Sequence, residues 1–300
     1  MLSEFSKSQS MCRLRAIVLL VIVASVFGGC GTDAPKPGDR LPASDVNEDS
    51  LPWLSHVHGL GINPGDGDLY VATHFGLWRI VGDRPKRVGD AAHDFMGFSV
   101  AGEDRFLASG HPQGARDLPA HLGLIESTDA GASWKSRSLM GEADFHVLRM
   151  GAKRVYGWSS STGKLAVTSD LRRWSDRGSI SLIDLAIDPE DDQRVIAAVA
   201  PSDSTIELRM SNDAGASWSR IDHAPDLIRL NWTDRRVWGV TPNGDVWKNT
   251  DGNGDWEQVG SVDGDVEAIT AGSDRWYAAA GGAIQESRDE GASWDLIVDY

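Results

Sequence analysis

The sequence predicts an all-β chain, a six-bladed β-propeller, on three observations. The string "STDAGASW" at 127–134 returns as "SNDAGASW" at 211–218 and "SRDEGASW" at 287–294. A divergent copy, "NTDGNGDW", occupies 249–256, and "TSDLRRW" at 168–174 is one residue shorter and lacks the glycine. The copies start about 40 residues apart, the length of one four-stranded blade. Between them the chain breaks into short apolar runs bounded by turn residues, a pattern that favours strands over helices.

With the copies as registration marks, each element can be placed in order. Each repeat opens with an inner strand, near 56–62, 94–100, 144–150, 182–187, 227–232 and 266–271. A second strand follows at "DLYVATH", "RFLASGH", "RVYGWSS", "RVIAAVA", "RVWGVTP" and "RWYAAAG". The third begins near "GLWRI", "GLIES", "KLAVT", "IELRM", "DVWKN" and "AIQES", and residues after each turn supply the fourth. The first repeat has no turn copy, because "GLWRIVGDRPKRVG" carries Pro85 across the expected position. A seventh blade would need strands from the segment before residue 51, which lacks them. The final "DLIVDY" either completes its own blade or pairs with residues near "LPWLSHV".

The repeated strings resemble Asp-box, or BNR, repeats of sialidases and other propellers. That resemblance implies a turn between third and fourth strands in which Asp129, Asp213, Asp251 and Asp289, with Asp170 in the shortened copy, have a structural role. The full-length aspartates would accept hydrogen bonds from turn amides. Gly131, Gly215, Gly291 and either Gly252 or Gly254 would permit the turn's unusual dihedrals. One carboxylate per turn is too few oxygen ligands for calcium. Longer stretches, among them "HVHGLGINPGDGDLYVATHFGLWRI" and "HDFMGFSVAGEDRFLASGHP", resemble a bacterial lipoprotein family of BNR-repeat, glycosyl-hydrolase-like proteins. The resemblance implies a cell-envelope address. It also brings glycoside or sialidase-like hydrolysis of envelope glycans into view as the alternative activity.

The amino terminus agrees with that address. Arg13 and Arg15 precede an apolar run from Ala16 to Phe27, then small residues and Cys30, which is a signal-sequence pattern. We expect residues 1–29 to be a signal peptide, with Met11 as an alternative start. Residues 30–50 are expected to be a lipidated terminus at Cys30 followed by a flexible acidic linker, and 51–300 a single propeller. The two cysteines, Cys12 and Cys30, leave the folded part without a disulfide. A net charge of -15 argues against nucleic acid as a partner. It leaves an envelope protein, a glycan or a transition metal.

Three of the eight histidines fall in "HVHGLGINPGDGDLYVATH", so the candidate site starts there. Aligning the inner strands puts His58, Met96, His146, Asp184, Arg229 and Glu267 in one column. His56, Asp94, Asp144, Leu182, Leu227 and Asp265 lie two residues earlier, on the same face by strand periodicity. His74 and His111 end the second strands of adjacent blades. His56, His58, His74, Met96, His111 and His146 are therefore candidate metal ligands. Imidazoles suit copper or zinc, and a thioether favours copper. His56, Asp94, Asp144, Arg229 and Asp265 are candidate ligand-binding residues. A two-carboxylate glycosidase would use Glu267 as acid and Asp184 as nucleophile or base. A sialidase would need an arginine cluster and a positioned tyrosine, and no such set can be assembled from the inner strands. His93 and His121 lie beside turns, and His223 sits apart in a late loop.

Overall fold

Among the described residues, twenty-four strands form six antiparallel sheets, each built from four strands consecutive in sequence. The computed structural model describes residues 34–42, 56–114, 117–202, 205–233 and 236–300, all within one unit, Ala34–Tyr300. The signal segment, Cys30 and residues 43–55 lie outside the described residues. Among the described residues no helix is long and apolar enough to cross a membrane.

Blade 1 consists of β1 (Val57–Ile62), β2 (Leu69–Thr73), β3 (Gly76–Val81) and β4 (Arg84–Val88). Blade 2 is β5 (Asp94–Gly102), β6 (Arg105–His111), β7 (Leu124–Ser127) and β8 (Lys135–Ser138). Blade 3 is β9 (Phe145–Met150), β10 (Val155–Ser159), β11 (Lys164–Thr168) and β12 (Ser175–Ser179). Blade 4 is β13 (Leu182–Ile187), β14 (Val195–Ser202), β15 (Thr205–Ser211) and β16 (Ser219–Arg220). Blade 5 is β17 (Arg229–Thr233), β18 (Arg236–Val240), β19 (Asp245–Asn249) and β20 (Glu257–Ser261). Blade 6 is β21 (Val266–Ala271), β22 (Trp276–Ala280), β23 (Ala283–Ser287) and β24 (Asp295–Asp299). Pro85 sits in β4, opposite Ile80, on an outer edge where its missing N–H costs no ladder bond.

The six inner strands neighbour one another in a closed ring, with β21 returning to β1. The carboxy-terminal strand β24 pairs with β23 of its own blade, so side chains must close the ring. Val57, Leu60 and Val71 of blade 1 share a core with Ala268, Tyr277 and Ile284 of blade 6. Glu267 adds the polar part: its Oε2 accepts from Val57 N at 2.5 Å and from the Tyr300 hydroxyl at 3.2 Å.

The repeated turns grip in one direction. Asp129 Oδ1 accepts from Ser133 N at 2.9 Å and Oδ2 from Ser133 Oγ at 2.6 Å, while Ser127 Oγ accepts from Gly131 N at 2.8 Å. The same bonds recur around Asp213 and Asp289. In the shortened turn Asp170 Oδ1 accepts from Arg172 N and Arg173 N. Asn249 Oδ1 takes the Ser127 role in the divergent one, accepting from Gly252 N. Both Ala130 and Gly131 have positive φ, 53° and 88°, and a side chain on Gly131 would run into Leu77 of blade 1. The tryptophan after each turn packs into the core it shares with the preceding blade: Trp134 sits with Tyr70 and Leu77, and Trp174 with Leu107 and Leu124.

Part of the expected flexible linker is instead fixed. Gly38 N donates to Ser136 O at 2.7 Å, Ser136 N to Asp39 O at 3.0 Å, and Leu41 N to Trp134 O at 2.8 Å. This segment covers the exposed edge of β8 and buries Leu41 in the blade 1 and 2 core. An unpaired sheet edge and one apolar side chain are enough to order it, despite the polar composition around it.

Two outcomes check this account of the fold. Replacing Glu267 with Ala leaves the buried Val57 N–H without its acceptor and should cost about 1–3 kcal/mol in urea unfolding. The turn aspartates should make the fold acid-sensitive. The Ser217 hydroxyl and amide, with Ser211, hold the Asp213 carboxyl at about 2, below its ordinary 3.8. A carboxyl depressed on folding stabilises the fold fully above 3.8, and that contribution disappears as pH falls through about 2. Asp213→Asn should therefore flatten the loss of stability over that window in denaturant midpoints measured from pH 5 to pH 2.

Candidate metal centre

A cavity of about 740 Å³ runs along the ring axis, lined by the inner strands of all six blades. At the end where those strands begin, backbone irregularity decides which side chains face inward. The β1–β2 register skips between Val57 and Gly59, leaving His58 unpaired. The β9–β10 register pairs Phe145 with Ser159 and Val147 with Trp158, leaving His146 unpaired. Glu267 is the residue skipped in β21, and Ile183 the one skipped in β13. A bulge adds one residue and re-aims it, so simple alternation fails here. Leu182 and Leu227 of the second expected column are buried in the cores between blades, and Asp265 is exposed outside the cavity lining.

The predicted histidines come together in two groups. His58 Nε2 lies 3.4 Å from Asp94 Oδ1 and 3.3 Å from His74 Nδ1, and His74 Nδ1 lies 2.9 Å from Asp94 Oδ1. The ring of His56 stands 4.8 Å from that of His58 and 5.3 Å from that of His74. The second group lies at the next junction, with one histidine from blade 2 and one from blade 3. His111 Nε2 lies 3.4 Å from Asp144 Oδ1, and His146 Nε2 lies 3.0 Å from Asp144 Oδ2. His121 packs beside it, its ring centre 5.5 Å from that of His111. Each group spans a blade junction, with the first or second strand of one blade facing an aspartate at the head of the next. His58, His74 and Asp94, and separately His111, Asp144 and His146, could each hold a metal ion.

Electrostatics favours the ligating protonation states. Burial lowers the pKa of His58 below 6.5 in spite of Asp94, which keeps the ring neutral at neutral pH. Burial by itself would raise Asp94 and Asp144, but the neighbouring imidazoles outweigh it. His146 and Ser160 bring Asp144 down to about 2. Asp94 Oδ1 and Asp144 Oδ1 are nonetheless buried without a well-directed hydrogen bond, the condition in which a cation is most welcome.

The other candidates have different work. Asp184 Oδ1 accepts from Arg149 at 2.6 Å and from Leu185 N at 2.8 Å, and its Oδ2 accepts from Leu230 N at 2.9 Å. That carboxylate ties blades 3, 4 and 5 together. Arg229 donates from Nε to the Glu267 carbonyl at 2.5 Å and from a terminal nitrogen to the Ile228 carbonyl at 2.8 Å. Met96 lines the cavity on β5, whose neighbours are β1 and β9. Asp184 and Glu267 each hold a neighbouring blade by a backbone amide, and the bonds they accept engage both oxygens of Asp184 and Oε2 of Glu267. His93 is fully buried without a hydrogen bond, and burial lowers it to about 4; His223 is exposed. Sequence reasoning placed His121 beside a turn, as a weaker member of the histidine set. Its only signal was its place ten residues after His111, at the end of the same loop.

No protein-family model matches the chain, and no curated protein matches it. Solved propellers do. A GH74 xyloglucanase from Xanthomonas campestris superposes with a TM-score of 0.55 at 14% identity, over 87% of this chain and 47% of that one. This chain therefore spans about half the length of the xyloglucanase. YCF48, solved bound to a D1 peptide, gives 0.50 at 15% identity over 86% of each chain. PorZ, a surface component of the type-IX secretion system of Porphyromonas gingivalis, gives 0.52 at 10% identity over 81% of this chain and 33% of its own. At these identities the likeness establishes a shared six-bladed or related propeller architecture.

Proposed function

We propose that this chain is a membrane-tethered, extracytoplasmic binding scaffold whose propeller mouth captures a transition-metal ion, zinc or copper. One observation carries the reading: six of the eight histidines gather around two buried aspartates at one end of the channel. In the first group the three closest donor atoms form a triangle with edges of 2.9, 3.3 and 3.4 Å. Ligands about 2.1 Å from a tetrahedral ion lie about 3.4 Å from one another, so the triangle is close to one face of such a site. Imidazoles beside a carboxylate suit zinc or copper better than calcium or magnesium. The likeness to YCF48 and PorZ supports a scaffold role at the level of fold. We read the turns as Asp-box repeats that stiffen the platform.

Tethering would come through lipidated Cys30, and it sets the reach. Because the chain is pinned to β8 from Gly38 onward, the stretch from Cys30 to Gly38 spans at most about 28 Å when extended. The scaffold would then work close to the membrane, with the edge of blade 2 nearest to it.

Anaerobic zinc and copper titrations of the purified chain, with elemental analysis, test the reading. We expect saturable binding, weakened at least tenfold in the His58→Ala, His146→Ala double variant, whose thermal unfolding without metal should stay cooperative. Absence of saturable binding for either metal would overturn it. Mass analysis of the membrane fraction should find an acylated Cys30, and an unprocessed or unmodified terminus would remove the tether.

A further inference from the structure

The two histidine groups lie at different blade junctions and share no residue. Asp94 and His111 are register partners on β5 and β6, yet they serve opposite junctions. Asp94 reaches back to His58 and His74 of blade 1, while His111 reaches forward to Asp144 of blade 3. Blade 2 thus gives its carboxylate to one group and its imidazole to the other. Each group has its own buried carboxylate oxygen without a directed hydrogen bond, Asp94 Oδ1 in one and Asp144 Oδ1 in the other.

The second group carries a further sign. His111 Nδ1 lies 3.1 Å from the Ala120 carbonyl, and a carbonyl only accepts, so Nδ1 holds the hydrogen. That leaves Nε2 as the ligating atom, facing Asp144 Oδ1 at 3.4 Å. The Nδ1 hydrogen bond is the kind of support that orients a metal-bound histidine. His146 Nε2 and Asp144 Oδ2 are 3.0 Å apart; ligation displaces the hydrogen they share and releases one proton. Beside them His121 keeps a buried Nδ1 with no hydrogen-bond partner, next to the His111 ring.

Resting on the metal-binding reading above, we infer that the chain holds two transition-metal ions, one at each of two successive blade junctions, and that His121 is the fourth ligand of the second. The first site uses His58, His74 and Asp94, with His56 at its exposed side, where Glu267 also draws it. The second uses His111, His146, Asp144 and His121. Three imidazoles and one carboxylate are a closed tetrahedral set for zinc.

The experiment is zinc calorimetry on the full-length chain in detergent, stripped of metal beforehand, with zinc content counted by mass spectrometry. Two ions per chain are expected. His74→Ala should leave one, and so should His111→Ala. His121→Gln should weaken the second site at least tenfold and leave the first at wild-type affinity, while His223→Gln should change neither. Circular dichroism melts of the metal-free variants guard against loss of fold. One ion per chain, lost in either of the two alanine variants, would replace the pair with a single shared site. Unchanged second-site affinity in His121→Gln would overturn its role as ligand. No bound zinc in the wild type would instead remove the metal-binding reading itself, and this inference with it.

Discussion

Each blade is held to the one before it by what its turn and tryptophan push into that neighbour, and the rest of the ring depends on this one-directional grip. Trp134 reaches blade 1, Trp174 blade 2, Trp218 blade 3, Trp256 blade 4 and Trp294 blade 5. Burying even 150 Å² of such a ring contributes roughly 4 kcal/mol as an upper estimate. The hydrogen-bonded aspartate turn fixes the tryptophan's approach before that gain is realised. Blade 1 has no such turn, and Trp78 of β3 rather than a tryptophan after a turn enters the core it shares with blade 6. Glu267 and the terminal Tyr300 occupy that junction instead, which explains why a carboxylate that looks catalytic in sequence is an architectural latch.

The inner strands show a second constraint. A strand facing a channel must present polar groups inward while keeping its ladder to the second strand, and strict alternation spends half its residues on the faces toward neighbouring blades. Leaving one residue unpaired in β1, β9 and β21 resolves this locally. His58, His146 and Glu267 gain a direction that neither face offers. In β13 the skipped residue is Ile183, and the following Asp184, which also lines the cavity, accepts from the Leu230 amide of the next blade. The same device therefore aims a histidine into an aspartate cluster in two blades and makes a blade-to-blade tie in others.

What was legible in the sequence follows from these causes. The blade count and most strand positions were readable because Asp129, Asp213 and Asp289 repeat with their glycine and tryptophan at fixed spacing. The columns at the channel mouth were only half readable. His58 and His146 could be aligned, but the bulges that aim them leave no mark in residue type, so Leu182, Leu227 and Asp265 were drawn into the same face wrongly. Reach across a junction was invisible for another reason: His74 and Asp94, or His111 and Asp144, meet through the geometry of neighbouring blades and share no strand. The ordering of residues 38–41 depends on an unpaired edge at β8, a property of the finished sheet that local composition does not contain.

The distribution of charge around the mouth explains why a cation belongs on one side of it. Asp184 pairs with Arg149 and accepts from two backbone amides, and Glu267 accepts from an amide and a hydroxyl at Oε2. Asp184 has given both oxygens to the fold and Glu267 one. Around Asp94 and Asp144, imidazoles stand in place of guanidinium groups, and one buried oxygen of each lacks a directed donor. Imidazole differs from guanidinium in that it can surrender its proton near neutral pH and offer a lone pair. Arg149 of blade 3 and Arg229 of blade 5 thus place guanidinium groups beside Asp184 and the Glu267 backbone, while the histidine–aspartate groups at the junctions of blades 1 to 3 have only imidazoles. On a chain with a net charge of -15, the surrounding field raises the local concentration of cations rather than anions. Long-range attraction and short-range donor geometry therefore select the same kind of ligand at the same end of the channel.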